Sequence, residues 1–154
     1  MESGAMSGGR KGSAVFDIVL HGRSAHAGRA KEDGRSALEA AAHLVAGLEA
    51  LNRQYDGVSV NVGAIDGGGA VNIVPDLAIV RFGARAPDEA AATWATAQVD
   101  KLLAEALERD GISGHLHGGF YRPPKPRNAA QDALFTAVSE TGKAIGLELE
   151  FVDT

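Results

Sequence analysis

Val58–Ile65 reads VSVNVGAI, and its alternation decides how the rest of the chain is laid out. Val58, Val60, Val62 and Ala64 fall on one side, with Ser59, Asn61 and Gly63 on the other. Successive side chains of a strand point to opposite faces, so this pattern predicts a strand with one face in a core. Asp66, three glycines and AVNIVPD follow as a loop that Pro75 closes. Leu77–Arg85 (LAIVRFGAR) then alternates in the same way, with Ala78, Val80, Phe82 and Ala84 on its inner face. Two neighbouring strands of one sheet are the natural reading.

Working outward, Ser36 and Glu39 have capping-box spacing and start a helix. Its apolar stripe is Ala37, Leu38, Ala41, Leu44, Val45, Leu48 and Leu51, ending near Asn52. Before it, Ala14–Leu20 (AVFDIVL) places Ala14, Phe16, Ile18 and Leu20 on one face of a strand and Asp17 on the other. After the Leu77–Arg85 strand, Pro87 and Asp88 open a second helix carrying Trp94, Val99, Leu102, Leu103, Ala106 and Leu107, which Gly111 stops. A shorter strand around His115–Phe120 closes the series. The order strand, helix, strand, strand, helix, strand is the split βαβ arrangement. It predicts an α+β two-layer sandwich, a four-stranded antiparallel sheet with two helices on one face, ferredoxin-like in its βαββαβ order.

That domain is expected over 12–120, behind a flexible lead-in over 1–11. Beyond it the chain changes character. YRPPKPRN holds three of the five prolines and breaks any continuing element. Asn128 caps a third helix with Leu134, Val138 and Ile145, stopped by Gly146, and LELEFVDT begins another strand. A helix and part of a strand bury little by themselves, so 121–154 reads as a fragment of the return into a neighbouring domain.

The 154 residues are 45% hydrophobic and 23% charged, enough for a packed core. A net charge of −5 disfavours nucleic-acid and anionic-membrane partners, which want a basic face. RNA-recognition domains share this strand order, but they need exposed aromatics on the central strands, and VSVNVGAI has none. No cysteine is present, which excludes a disulfide scaffold, a thiolate zinc site and a cysteine nucleophile and fits a cytoplasmic protein. No apolar run approaches the roughly 18 residues that span a bilayer.

Few residues carry candidate chemistry. His115 and His117 share a strand face and present two imidazoles, but no HExxH or carboxylate cluster adds a third metal ligand. DGGG at 66–69 has neither the lysine nor the helix of a phosphate loop. His43 sits beside the apolar stripe, where a packing role suffices. His26 differs: GRSAHAG, 22–28, leaves an imidazole uncovered among small residues. A neutral imidazole can donate one hydrogen bond to a developing oxyanion. Asn72, in the glycine-flanked loop, and Arg85, at the end of its strand, are the types that hold a carboxylate, and Arg81 is the rival for the arginine role.

Taken in order, GRSAHAGR, VNVGAIDGGGAVNIVPD and RFGAR resemble the dimerisation, or lid, domain of the zinc-dependent aminoacylase, acetylornithine deacetylase and glutamate carboxypeptidase metallopeptidase family, over Gly12 to Phe120. The resemblance implies a lid inserted in a catalytic domain that holds two zinc ions and a general-base glutamate. It implies that His26 stabilises the tetrahedral oxyanion, across the subunit interface in dimeric members. It implies too that Asn72 and Arg85 bind the carboxylate of a small acidic or N-acyl amino acid substrate. The family's HxD motif and paired glutamates are not in these residues. The chain is therefore expected to bind no cofactor itself, zinc belonging to the complete enzyme, and to have no hydrolase activity alone. Expected partners are a second copy, through the first helix and an exposed sheet edge, and the catalytic domain of the same parent chain. The rival readings are a free-standing dimeric binding module that has lost catalysis, and a small metal enzyme using His115 and His117.

Overall fold

The computed structural model describes residues 5–153. The central strand is β2, Gly12–His21, flanked antiparallel by β4, Leu77–Ala86, and by β5, Ser113–Arg122; β3, Ser59–Gly67, pairs outside β4. The sheet order is β3-β4-β2-β5, antiparallel throughout, so β3 and β5 are its edges. Helices α1, Ala37–Ala50, and α2, Glu89–Leu107, cover one face. This is the expected two-layer α+β sandwich.

The alternation builds the core as anticipated. Ala14, Phe16, Ile18 and Leu20 of β2 meet Ala78, Val80, Phe82 and Ala84 of β4, and all eight are buried. Phe16 stacks on Phe82 with ring centroids 5.1 Å apart and takes the edge of Phe120 at 6.4 Å. Ser36 caps α1 by accepting from the Glu39 amide, and Asp88 caps α2 by accepting from the Ala91 amide. Small residues do much of the helix packing: Ala91, Ala92, Ala95 and Ala106 are buried on α2 beside Val99, while Trp94 lies against Tyr55 at 5.0 Å. Leu38, expected in the α1 stripe, is exposed.

Two details depart from simple alternation. The register of β3 against β4 shifts between Val62 and Ala64, with Gly63 as the extra residue. Ala64 therefore stands opposite Arg81 rather than in phase with Val58, Val60 and Val62. Past the bulge Ile65 stands opposite the buried Val80, on the helix-covered face, yet it is exposed near the end of the strand. In addition, Met6–Ser7, within the segment expected as a lead-in, forms a short strand, β1, paired in parallel with β6, Phe151–Val152; residues 1–4 of that segment lie outside the described residues. Helix α3, Ala129–Ala144, is capped by Asn128 and buries Phe135 against Phe151, with ring centroids 4.2 Å apart. Leu134, Ile145 and Leu147 remain exposed.

Candidate functional site

The loop between β2 and α1 carries His26, and three backbone links fix it. Arg23 and Arg35 exchange both backbone hydrogen bonds. The Val74 amide donates to the Ala25 carbonyl, and the Ala27 amide donates to the Asn72 carbonyl at 2.8 Å, so His26 and Ile73 face each other in a short antiparallel bridge. Gly22 is required where the loop leaves β2, because a Cβ there would collide with the Arg35 carbonyl. The Arg35 guanidinium is bonded to the Asp110 carboxylate and to the Glu32 and Gly34 carbonyls, which anchors the loop to the end of α2.

His26 itself is exposed. Its Nδ1 accepts a hydrogen bond from the Gly28 amide at 3.2 Å, which leaves the Nε2 edge of the ring free to meet another group. Asn72 is also exposed, one residue from the bridge. The structure thus brings His26 and Asn72 to one end of the sheet, on two loops zipped together by their backbones. Val71, Ile73 and Leu77 are exposed apolar residues of the same region.

Arg85 is elsewhere. It lies opposite Ser13 of β2 and Ser59 of β3, while Leu77, at the His26 end, pairs with His21. The eight residue steps from Leu77 to Arg85 amount to roughly 26 Å of extended strand. Within one copy, His26 and Arg85 cannot touch one small substrate. The rival arginine is engaged: Arg81 pairs with Asp66 at 2.6 Å and Asp17 at 3.6 Å on the uncovered sheet face. The Arg85 side chain is exposed and bonds only to its neighbour's carbonyl among the described residues.

On the same open face His115 and His117 stand edge to face at 4.6 Å, with His21 at 6.2 Å from His115. The His21 contact, made across the β2–β5 pairing, is invisible to sequence spacing. Among the described residues, however, no group of three or more histidine, cysteine, aspartate or glutamate side chains is placed to hold a metal ion, so these residues do not fit a zinc site. His43 is exposed on α1.

The sheet edge carries a further feature that spacing did not reveal. Asn52, just past α1, accepts from the Val60 amide at 2.7 Å and donates to the Val60 carbonyl at 2.9 Å. Glu49 accepts from the Val62 amide at 3.1 Å. These side chains close the outer backbone of β3 over Val60–Val62. Beyond the bulge, no side chain closes it over 63–67 among the described residues.

Residues 8–111, spanning the sheet as far as the end of the α2–β5 turn, match the peptidase dimerisation domain family. The chain belongs to that family. Its dimerisation domain is similar to part of one subunit of the p-aminobenzoyl-glutamate hydrolase of Escherichia coli, 41% identical over 71 residues, covering 46% of this chain and 16% of that protein. The homologue of that hydrolase subunit in Haemophilus influenzae is 38% identical over 88 residues, 56% of this chain and 21% of that one. The indole-3-acetyl-aspartic acid hydrolase of Enterobacter agglomerans is 41% identical over 75 residues, 48% and 17%. The chain therefore spans about a fifth or less of the length of these relatives. In fold it superposes on the aminopeptidase PepT of Bacillus cereus with a TM-score of 0.85 at 22% identity, covering 98% of this chain and 40% of that one. No helix among the described residues is long and apolar enough to cross a membrane.

Proposed function

We propose that this domain completes the active site of a zinc-dependent amide hydrolase by supplying His26 and Asn72 from one copy and Arg85 from its partner. The supporting observation is the division of the candidate residues between opposite ends of β4. Antiparallel pairing of two β3 edges along 63–67 turns the second copy end for end. Its Arg85 then lies on the side where the first copy presents His26 and Asn72.

In this reading the Arg85 fork and the Asn72 amide hold the substrate carboxylate. The Nε2 edge of His26 donates a hydrogen bond to the oxyanion as the amide carbonyl becomes tetrahedral. Zinc would supply the activated water, held by segments outside these residues, since none of the described groups fits it. The relatives named for p-aminobenzoyl-glutamate and indole-3-acetyl-aspartate support a substrate that joins an apolar acyl group to an acidic amino acid. The exposed Val71 and Ile73 beside Asn72 are suited to the acyl part. A cytoplasmic setting is part of the same proposal, consistent with the absence of cysteine from the sequence.

The test is complementation in a full-length protein carrying this domain. His26→Ala and Arg85→Ala subunits, each crippled alone, are dissociated, mixed and reassembled. A mixed dimer of this geometry holds one site with both residues intact, so at substrate well below KM, where both parent variants are slow, random mixing should restore about a quarter of the wild-type rate. No recovery in verified mixed dimers would mean that both residues serve the same copy's site, and the proposal would fail.

A further inference from the structure

We infer that the Gly28 backbone amide is a positioning group that fixes the tautomer of His26, holding the ring proton on Nε2. A backbone N–H can only donate, so the 3.2 Å contact to Nδ1 requires a lone pair on that nitrogen. In the neutral ring the single proton must then sit on Nε2, the edge directed away from the turn. A neutral imidazole that donates to an oxyanion has one proton to offer, and the wrong tautomer would aim a lone pair at negative charge. Gly28 settles that choice before any substrate arrives.

The surrounding turn supports this contact. The Arg29 and Ala30 amides both donate to the His26 carbonyl, at 3.1 and 2.9 Å, which curls the chain so that the next free amide, that of Gly28, points back at the ring. The Ala27 amide is already committed to Asn72. The small residues of AHAG thus do more than leave the imidazole uncovered: their compact turn places one donor under Nδ1.

This inference rests on the reading of His26 as an oxyanion donor for its purpose, but its test does not. In the ¹⁵N-labelled chain with neutral rings, His26 should carry its proton on Nε2 alone. A scalar coupling should cross the hydrogen bond between the Gly28 amide nitrogen and Nδ1. A proton on Nδ1, or a mixture of tautomers with no such coupling, would overturn the inference. Gly28→Ala keeps the donor, and its added Cβ would lie 3.6 Å from His26 Cε1, an ordinary contact, so the coupling should persist. Gly28→Pro removes the donor and should release the ring to both tautomers; a ring still held wholly as the Nε2–H form would show that another group sets it. If that variant does not fold, the wild-type coupling decides alone. Unchanged turnover on His26→Ala in a full-length protein would sink the oxyanion role and leave the tautomer assignment standing.

Discussion

Replacing Asn52 by alanine tests whether side chains of α1 and the turn after it close the β3 edge. Asn52 makes two hydrogen bonds to the Val60 backbone, both partly buried, at 2.7 and 2.9 Å. Each bond of this kind contributes about 0.5–1.5 kcal/mol net. Water can reach the vacated edge, so the loss belongs in the lower half of the combined range, about 1–2 kcal/mol. Unfolding entropy scales with length, and for a chain of 154 residues this corresponds to a fall in Tm of roughly 3–6 °C. Thermal unfolding followed by circular dichroism measures it. The same substitution bares an N–H and a C=O on an edge strand, which is a template for pairing with another chain. Light scattering after size exclusion should therefore show concentration-dependent association above that of the wild type. A loss under about 0.5 kcal/mol together with unchanged association would refute the clamp.

Three other outcomes follow from the same geometry. In a full-length protein, His26→Ala should lower turnover on the order of 10²–10³-fold, as loss of an oxyanion donor does, with no comparable change in KM; an unchanged rate constant rules the role out. Arg85→Ala should raise KM for carboxylate substrates while sparing an analogue in which the carboxylate is an amide, and equal losses on both would count against the assignment. Gly22→Ala should cost about 1–3 kcal/mol through its collision with the Arg35 carbonyl. Hydrogen exchange at the Arg23 and Arg35 amides should accelerate with it, and unaltered protection there would show that the loop absorbs the methyl group without strain.

The sheet and its helices were legible in the sequence because burial on one face imposes a period of two on the strands, and because Ser36 and Asp88 act locally as caps. What stayed hidden was non-local. By alternation Gly63 is one more outward residue of β3, yet it is the extra residue of a bulge, and only the pairing with β4 reveals that. Arg81 and Arg85 share a strand face and are equivalent by spacing. Cross-strand neighbours separate them, since Asp17 and Asp66 engage Arg81 while serines face Arg85. Met6–Ser7 has no strand signal of its own, and its conformation comes from a partner at the far end of the chain. His26 stands out by being uncovered, a local property; its bridge to Ile73 and its nearness to Asn72 are products of the fold.

The length of β4 bears directly on how such a site can be built. A substrate of the size of an acylated amino acid bridges a few ångströms between its carboxylate and its scissile carbonyl. Roughly 26 Å of strand separates the end holding His26 from Arg85. No loop movement of ordinary size closes that gap, because the residues flanking His26 are tied down, Ala27 to Asn72 and Ala25 to Val74, while Arg85 lies within a strand paired on both sides. Either the two residues serve different ligands or a second copy supplies one of them. A two-fold axis needs no new residues to do this: it reverses the strand and presents its opposite end. The Asn52 and Glu49 clamps then acquire a second meaning. By closing the edge over Val60–Val62 and leaving 63–67 open, they limit the registers in which two sheets can join. In the proposed two-copy site that register would set the distance between one copy's imidazole and the other's guanidinium.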